Sequence, residues 1–289
     1  MAKAKILLQL DTDPQPSVFD AVVAVDAGVE QLLRHGSVTP ENVRELVHGA
    51  MFTRGGEELK NTAIFVGGSD VTTGERLLAA VKKCFFGPVR VSVLIDSHGA
   101  NTTAAAAVLA AGAHAPLAKS KVLVLAATGP VGARAVRLLA REGAEVLVAS
   151  RSVERARATC AAVSAAVSGA KVTSCEVGRD EEAVAALKDV QIVLACGAAG
   201  IELLPAAALT GAHGLKVAID LNAVPPAGIG GIEVMDRAKE RNGVVCYGAI
   251  GVGGAKMKIH KEAIRRLFSA NDLVLDAEEI YALGREIGG

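Results

Sequence analysis

The stretch KVLVLAATGPVG, residues 121–132, decides the fold. A short run of β-branched and leucine residues ending in small ones reads as a buried parallel strand. It leads straight into Thr128-Gly129-Pro130-Val131-Gly132, where a helix is expected to begin. Strand, glycine turn and helix N-terminus together make a phosphate site. The glycines let the backbone approach a pyrophosphate, and the free N–H groups and positive dipole end of the helix meet its charge. The spacing is that of the dinucleotide fingerprint G-x-G-x-x-G, with Ala127 at the first glycine. Thr128, Gly129, Pro130, Val131 and Gly132 are therefore the candidate pyrophosphate-binding residues, against the plainer reading of an ordinary strand-to-helix turn.

Residues 145–149, EVLVA, read as the next strand. It ends about 20 residues past the fingerprint, where NAD-binding proteins place an acid on the ribose 2′-hydroxyl. Here stand Ser150, Arg151 and Ser152, followed by Arg155 and Arg157. A guanidinium and hydroxyls suit a 2′-phosphate, so the expected cofactor is NADP rather than NAD. The competing reading makes these arginines a solvated helix face.

A chain of 289 residues predicts two domains at about 150 residues each. Its longest apolar run, residues 104–113, falls short of the roughly 18 residues that span a bilayer. The start MAKAKILLQLDTD lacks a signal-peptide cleavage pattern, so a cytoplasmic protein without a membrane partner is expected. Charges balance at 31 against 31, and Trp 0 with Tyr 2 leaves little stacking surface, which argues against nucleic acid. The five cysteines show no zinc spacing, so reduced thiols and no metal are expected.

Along the chain, residues 5–10 read as a strand opening onto the loop 11–17, with Ser17 as a helix cap and Val18, Phe19, Val22, Val23 and Val25 as the helix's apolar side. Thr39 as N-cap and Pro40 at N1 predict a second helix. Strands are expected at 62–66 and 90–95, with a helix between them to about residue 86. Residues 96–103, DSHGANTT, read as a polar loop at a strand's C-terminal end, where open α/β sheets take ligands. Further strands at 171–175, 192–196, 217–221 and 245–250 complete a doubly wound sheet, and helices are expected after the glycine run 251–254, up to Phe268, and over 276–287. The expected fold class is α/β with two domains and a cleft between them. Residues 104–268 form the Rossmann-type parallel sheet for NADP, and residues 1–103 plus 269–289 form a smaller parallel α/β substrate domain.

Several segments together resemble one family: residues 11–13 with 17–20, 62–68 (TAIFVGG), 85–88 (FFGP), 101–106 (NTTAAA), 128–132 (TGPVG), 222–231 (NAVPPAGIGG) and 276–281 (DAEEIY). They resemble the NADP-dependent methylene-tetrahydromethanopterin dehydrogenases of bacterial one-carbon metabolism. The resemblance covers nearly the whole chain, and Ala127 departs from it where glycine stands in the family. It implies hydride transfer from methylene-tetrahydromethanopterin to NADP in formaldehyde oxidation, with methylene-tetrahydrofolate as a substrate of some members. It also implies a homo-oligomer, a trimer or a multiple of one.

Such an oxidation needs no general base, because the methenyl cation is stabilised by its own nitrogens; alignment is the protein's task. The loop 222–231 could wall the cofactor ring, with Asn222, Pro225 and Gly230 as its binding residues, or be a rigid connection only. Carboxylates suit the amino-pyrimidine edge of a pterin, and Asp11, Asp13, Phe19, Asn101, Thr102 and Thr103 are the candidate substrate-binding residues. Turn chemistry alone could explain Asp11 and Asp13. Lys256 and His260, four apart on one helix face, are with Asp20 the candidate catalytic-site residues; a basic solvated face is the alternative. Two other functions remain open at this point: a shikimate-dehydrogenase-like NADP oxidoreductase, which would need a proton donor, and a non-catalytic NADP-binding sensor.

Overall fold

The computed structural model describes residues 3–288. In chain order the elements are β1 (Ile6–Asp11), α1 (Val18–Asp26), β2 (Gln31–His35), α2 (Val43–Phe52), β3 (Thr62–Gly67), α3 (Val71–Lys83), β4 (Ser92–Ile95), α4 (Ala100–Gly112), β5 (Lys121–Leu125), α5 (Pro130–Arg141), β6 (Glu145–Ser150) and α6 (Val153–Ala166). Then come β7 (Lys171–Glu176), α7 (Asp180–Ala186), β8 (Ile192–Ala195), α8 (Ala206–Gly211), β9 (Val217–Asp220), β10 (Lys239–Arg241), β11 (Val244–Tyr247), α9 (Ala249–Arg266), β12 (Val274–Leu275) and α10 (Ala277–Gly288). The chain divides into two units, Met1–Thr102 with Met257–Gly289, and Thr103–Lys256.

The first unit holds a five-stranded parallel sheet in the order β12-β4-β3-β1-β2. On one face Leu8, Leu10, Ile64, Val66, Val93 and Ile95 pack with Val43, Val47 and Met51 of α2 and Leu77 and Val81 of α3. Gln9, Phe65 and Leu94 stand in register on the opposite face. Six consecutive buried residues in β3 are what a central parallel strand covered on both sides requires.

The second unit is a seven-stranded sheet in the order β10-β11-β9-β8-β5-β6-β7, parallel except for the β10–β11 hairpin. Strand order reverses at β5, which pairs with β6 on one side and β8 on the other. That reversal defines a doubly wound Rossmann sheet and places its ligand crevice at the carboxyl ends of β5 and β8.

Several expectations are corrected. In α1, Ser17 does cap the helix through Asp20 N–H, but Val18, Phe19, Val22 and Val25 are exposed and only Val23 and Ala24 are buried. This nine-residue helix docks by one narrow edge, and 18, 22 and 25 recur on another stripe. The second helix starts at Val43, because the Thr39 N–H donates to Asn42 Oδ1 and closes residues 39–42 into a turn. The helix after β3 ends at Lys83 rather than near residue 86. Asn101, Thr102 and Thr103 lie inside α4, since the Asp96 carboxylate accepts the N–H groups of Asn101 and Thr102 and starts the helix early. The glycine run 251–254 is helical, and β11 stops at Tyr247. The second crossing between units falls within α9 after Lys256, not after residue 268: His260 stacks on Phe65 and Lys261 Nζ lies 2.9 Å from Asp26, both in the first unit.

The start of α9 is set by close backbone packing. A Cβ on Gly251 would lie 1.8 Å from the Asp236 carbonyl oxygen, and one on Gly248 2.1 Å from that of Glu233. Asp236 is buried, with Arg241 Nε and Nη2 on its carboxylate at 2.6 and 2.8 Å. The Arg241 hydrogen bonds hold the Asp236 carboxyl below its ordinary value. A depressed carboxylate adds stability above its unfolded pKa and loses it as pH falls through the folded value. We therefore expect acid titration to weaken this hairpin only below the ordinary aspartate range. Arg241→Ala, leaving a buried carboxylate with only the Glu233 N–H in place of its ion pair, should cost about 1.5–3 kcal/mol near pH 7 and much less at low pH. Thermal melts at both pH values check this; an equal cost at each would contradict it.

Candidate functional site

The turn after β5 reverses at Ala126, which takes a left-handed φ of 53°. Ala127 is buried, and its N–H donates to the Ala149 carbonyl at 2.9 Å. The reversal thus falls one residue earlier than the fingerprint's first glycine, and a methyl at 127 is accommodated. Gly129 is the N-cap of α5 and Pro130 opens it, with no side chain capping the end. The first N–H groups of α5 are left for an anion. A Cβ on Gly132 would lie 2.6 Å from the Ala126 oxygen and 2.8 Å from Ala127 Cα, so only glycine lets α5 meet its strand this closely. The cradle fits a pyrophosphate on these grounds.

Beside it, at the end of β6, Ser150 Oγ stands 3.5 Å from Thr128 Oγ1 and accepts the Ser152 N–H at 3.3 Å. Ser152 caps α6 by accepting the Arg155 N–H and donates to Glu154 Oε2 at 2.9 Å, turning that acid back onto its own cap. Arg151 is exposed between the two serines. Hydroxyls and a guanidinium at this strand end suit a 2′-phosphate.

Across the strand reversal, Asp220 ends β9 and is buried. Its Oδ1 accepts the Asn222 N–H at 3.0 Å, and its Oδ2 accepts those of Gly228 and Ile229 at 2.7 and 3.2 Å. Burial pushes its carboxyl up, and the three N–H groups oppose that. Asn222 is buried, Pro225 exposed, and Gly230 packs so closely that a Cβ would lie 2.6 Å from Ala206 N. At the end of β8, burial with added repulsion from Asp220 drives the Cys196 thiol up to about 12. No nucleophilic thiolate forms there near neutral pH.

In the first unit the structure gives most candidate polar groups internal partners. Asp11 is buried and accepts the N–H groups of Asp13 and Ser17, both at 3.0 Å. Asp13 accepts from Ser69 N and Oγ at 3.0 and 2.9 Å, bridging the loops after β1 and β3. Thr102 is fully buried, donating to Asp96 Oδ2 at 2.6 Å, and Asn101 Nδ2 donates to the Ile95 carbonyl and Asp276 Oδ1 at 2.8 and 3.0 Å. These four side chains brace the carboxyl edge of the sheet. Thr103 is half-buried, the first residue of the second unit.

His260 is fully buried, its ring stacked on Phe65 at 5.7 Å and 24° and lying 6.3 Å from Phe19. Asp20 Oδ1 is 4.0 Å from His260 Nε2. The structure thus brings Asp20, Phe19 and His260 together, while Phe19 remains half-exposed. Lys256 is half-buried in α9, four residues before His260. Sequence reasoning missed Phe65, Asp96 and Asp220. An aspartate directly after an aliphatic run is the signal for the last two.

Uncapped glycine turn, strand reversal and a second strand whose C-terminal end carries serines and an arginine in place of an acid define a Rossmann dinucleotide-binding protein. Residues 18–98 match the model of the methylene-tetrahydromethanopterin dehydrogenase N-terminal family. The chain is 47% identical over 284 residues to the bifunctional protein MdtA of Methylorubrum extorquens, covering 98% of this chain and 99% of that protein. It is 32% identical to the NAD(P)-dependent methylenetetrahydromethanopterin dehydrogenase of the same organism, over 94% and 95% of the two chains. The chain belongs to the methylene-tetrahydromethanopterin dehydrogenase family. Shikimate 5-dehydrogenase of Listeria monocytogenes, solved with shikimate and NAD, shares the fold with a TM-score of 0.55 at 12% identity, over 99% of this chain and 96% of that one. Among the described residues no helix is long and apolar enough to cross a membrane.

Proposed function

We propose that this chain oxidises methylene-tetrahydromethanopterin with NADP to the methenyl form, and that methylene-tetrahydrofolate is a second substrate. The observation that carries the NADP assignment is the cradle of Thr128, Ser150, Arg151 and Ser152 beside the uncapped start of α5. The likeness to two proteins of this family over nearly their whole lengths supports the pterin assignment. NADP supplies the hydride acceptor when bound. Gly129 and Gly132 admit its pyrophosphate to the helix end, and Arg151 pairs with the 2′-phosphate. Asn222, Pro225 and Gly230 set the wall for the ring. The first unit forms the substrate-binding part in this reading, with Asp20, Phe19 and His260, and Lys256 one turn before it in α9, orienting the pterin. Asp11, Asp13, Asn101, Thr102 and Thr103 act chiefly by keeping that edge rigid. A cytoplasmic homo-oligomer without nucleic-acid partners is part of the same proposal.

Arg151→Ala is the first test. Losing one charge-assisted contact should weaken NADP binding by about 1.5–3 kcal/mol, roughly tenfold to a hundredfold, while NAD is little affected. Michaelis constants for both cofactors decide the matter. Unchanged discrimination between them would remove Arg151 from the 2′-phosphate.

A further inference from the structure

We infer that Asp220 is a positioning residue which, through Asn222, locks the loops after β8 and β9 into one shelf for the nicotinamide half of the cofactor. The inference rests on the NADP reading above. The glycine turn follows β5, and the groups suited to a 2′-phosphate follow β6, on one side of it. A dinucleotide laid across the strand reversal therefore carries its other half toward β8 and β9 on the opposite side.

Two loops leave the sheet at that edge, and Asp220 with Asn222 joins them. All three N–H groups on the Asp220 carboxylate come from its own loop, at residues 222, 228 and 229. A Cβ on Gly228 would lie 2.6 Å from Asp220 Oδ1, so the loop closes directly over the carboxylate. Asn222 then reaches across. Its Oδ1 accepts the N–H of Gly200, in the β8 loop, at 3.3 Å and that of Val224, in the β9 loop, at 3.0 Å. Its Nδ2 donates to the Pro226 carbonyl at 2.8 Å. The Leu203 N–H donates to the Gly228 carbonyl at 2.8 Å, and Leu204 bridges Ile229, completing the seam.

Beside the exposed Glu202, this seam holds two aliphatic side chains open to the outside. Ile201 is 51% exposed and Val224 50% exposed, one on each loop, next to the two N–H groups that share Asn222 Oδ1. Aliphatic side chains held open at the ligand edge of a buried sheet suit one face of a flat ring, which hydride transfer needs at fixed height. Asp220 is buried beneath its loop, so its influence on the ring passes through Asn222 and the loop backbone.

The test separates the two halves of the cofactor. NADPH, followed by its fluorescence on binding, and adenosine 2′,5′-bisphosphate, which lacks the nicotinamide, are titrated into the full chain. Asp220→Asn and Asn222→Leu should raise the Kd for NADPH about tenfold and leave that for adenosine 2′,5′-bisphosphate within about twofold of wild type. They should also lower kcat more than they raise the pterin KM. Asn222→Asp, which keeps the Oδ1 acceptor, should bind NADPH closer to wild type than Asn222→Leu. Ile201→Ala, at an exposed site where folding is not in question, should weaken NADPH alone by about threefold or more. Variants that bind NADPH as wild type, or lose both ligands equally, overturn the inference. Wild-type protein that fails to bind adenosine 2′,5′-bisphosphate overturns the NADP reading itself, and the shelf with it.

Discussion

Gly132→Val is expected to reduce NADP affinity at least a hundredfold and to destabilise the protein. The cause lies in backbone packing: at position 132 even a single Cβ would meet the Ala126 oxygen at 2.6 Å and Ala127 Cα at 2.8 Å. No side-chain rotation relieves such contacts, so the first turn of α5 must withdraw from its strand. Overpacking of this kind costs typically about 1–3 kcal/mol, and a hundredfold in affinity is about 2.7 kcal/mol. Gly129→Ala is the informative control. Its Cβ would meet the Ala126 oxygen only at 3.4 Å, and its φ of −79° is open to any residue. The melting temperature should hold while the added methyl crowds the pyrophosphate and weakens binding about tenfold. Fluorescence titration with NADPH and thermal melting measure both effects. If the valine variant binds NADPH like wild type, α5 does not hold the phosphates.

The second large effect is expected at His260. His260→Ala should cost about 2–4 kcal/mol, because a fully buried ring stacked on Phe65 at 5.7 Å leaves a cavity when removed. It should also free Asp20 and Phe19, which lie against that ring, and lower turnover. His260→Phe separates packing from polarity. It refills the space between aromatic neighbours, so stability should return to within about 1.5 kcal/mol of wild type. Turnover should stay at least about tenfold low, since the nitrogen facing the Asp20 carboxylate is gone and that carboxylate no longer keeps its alignment. Calorimetry and steady-state rates test the pair. Full recovery of turnover in His260→Phe would make the ring a packing element only.

The strands buried on both faces are the plainest in the sequence, and the half-exposed β7 and β11 are legible beside them. Residues 63–66, 122–125, 192–195 and 217–219 announce themselves by unbroken apolar runs. β2 did not, because an edge strand reading QLLRH is largely exposed and has no clear period. The β10–β11 hairpin carries a local signal: Asn242 and Gly243 take left-handed φ values of 51° and 78°, the Asn-Gly turn that a two-residue hairpin demands. At the site, residue type and spacing pointed to the fingerprint and the serine–arginine–serine strand end, since both are local. What no local pattern could reveal is the partnership of Asp96 with Asn101 and Thr102, which makes a polar segment into a helix start. The stacking of His260 on Phe65 is equally hidden, joining residues 195 positions apart. The glycines of 251–254 misled for a related reason: glycine also serves a helix where another backbone passes too close for a side chain, as Asp236 does at Gly251.

The central claim, hydride transfer from the pterin's methylene carbon to NADP, is tested most directly by isotope tracing. Methylene-tetrahydromethanopterin doubly deuterated at the bridging carbon is mixed with NADP and the protein in ordinary water. Absorbance at 340 nm and the mass of the recovered cofactor are then read. The account predicts a rise at 340 nm and one deuterium in each reduced cofactor, because the hydrogen moves directly between the two carbons. No rise at 340 nm, or reduced cofactor without deuterium, would contradict it.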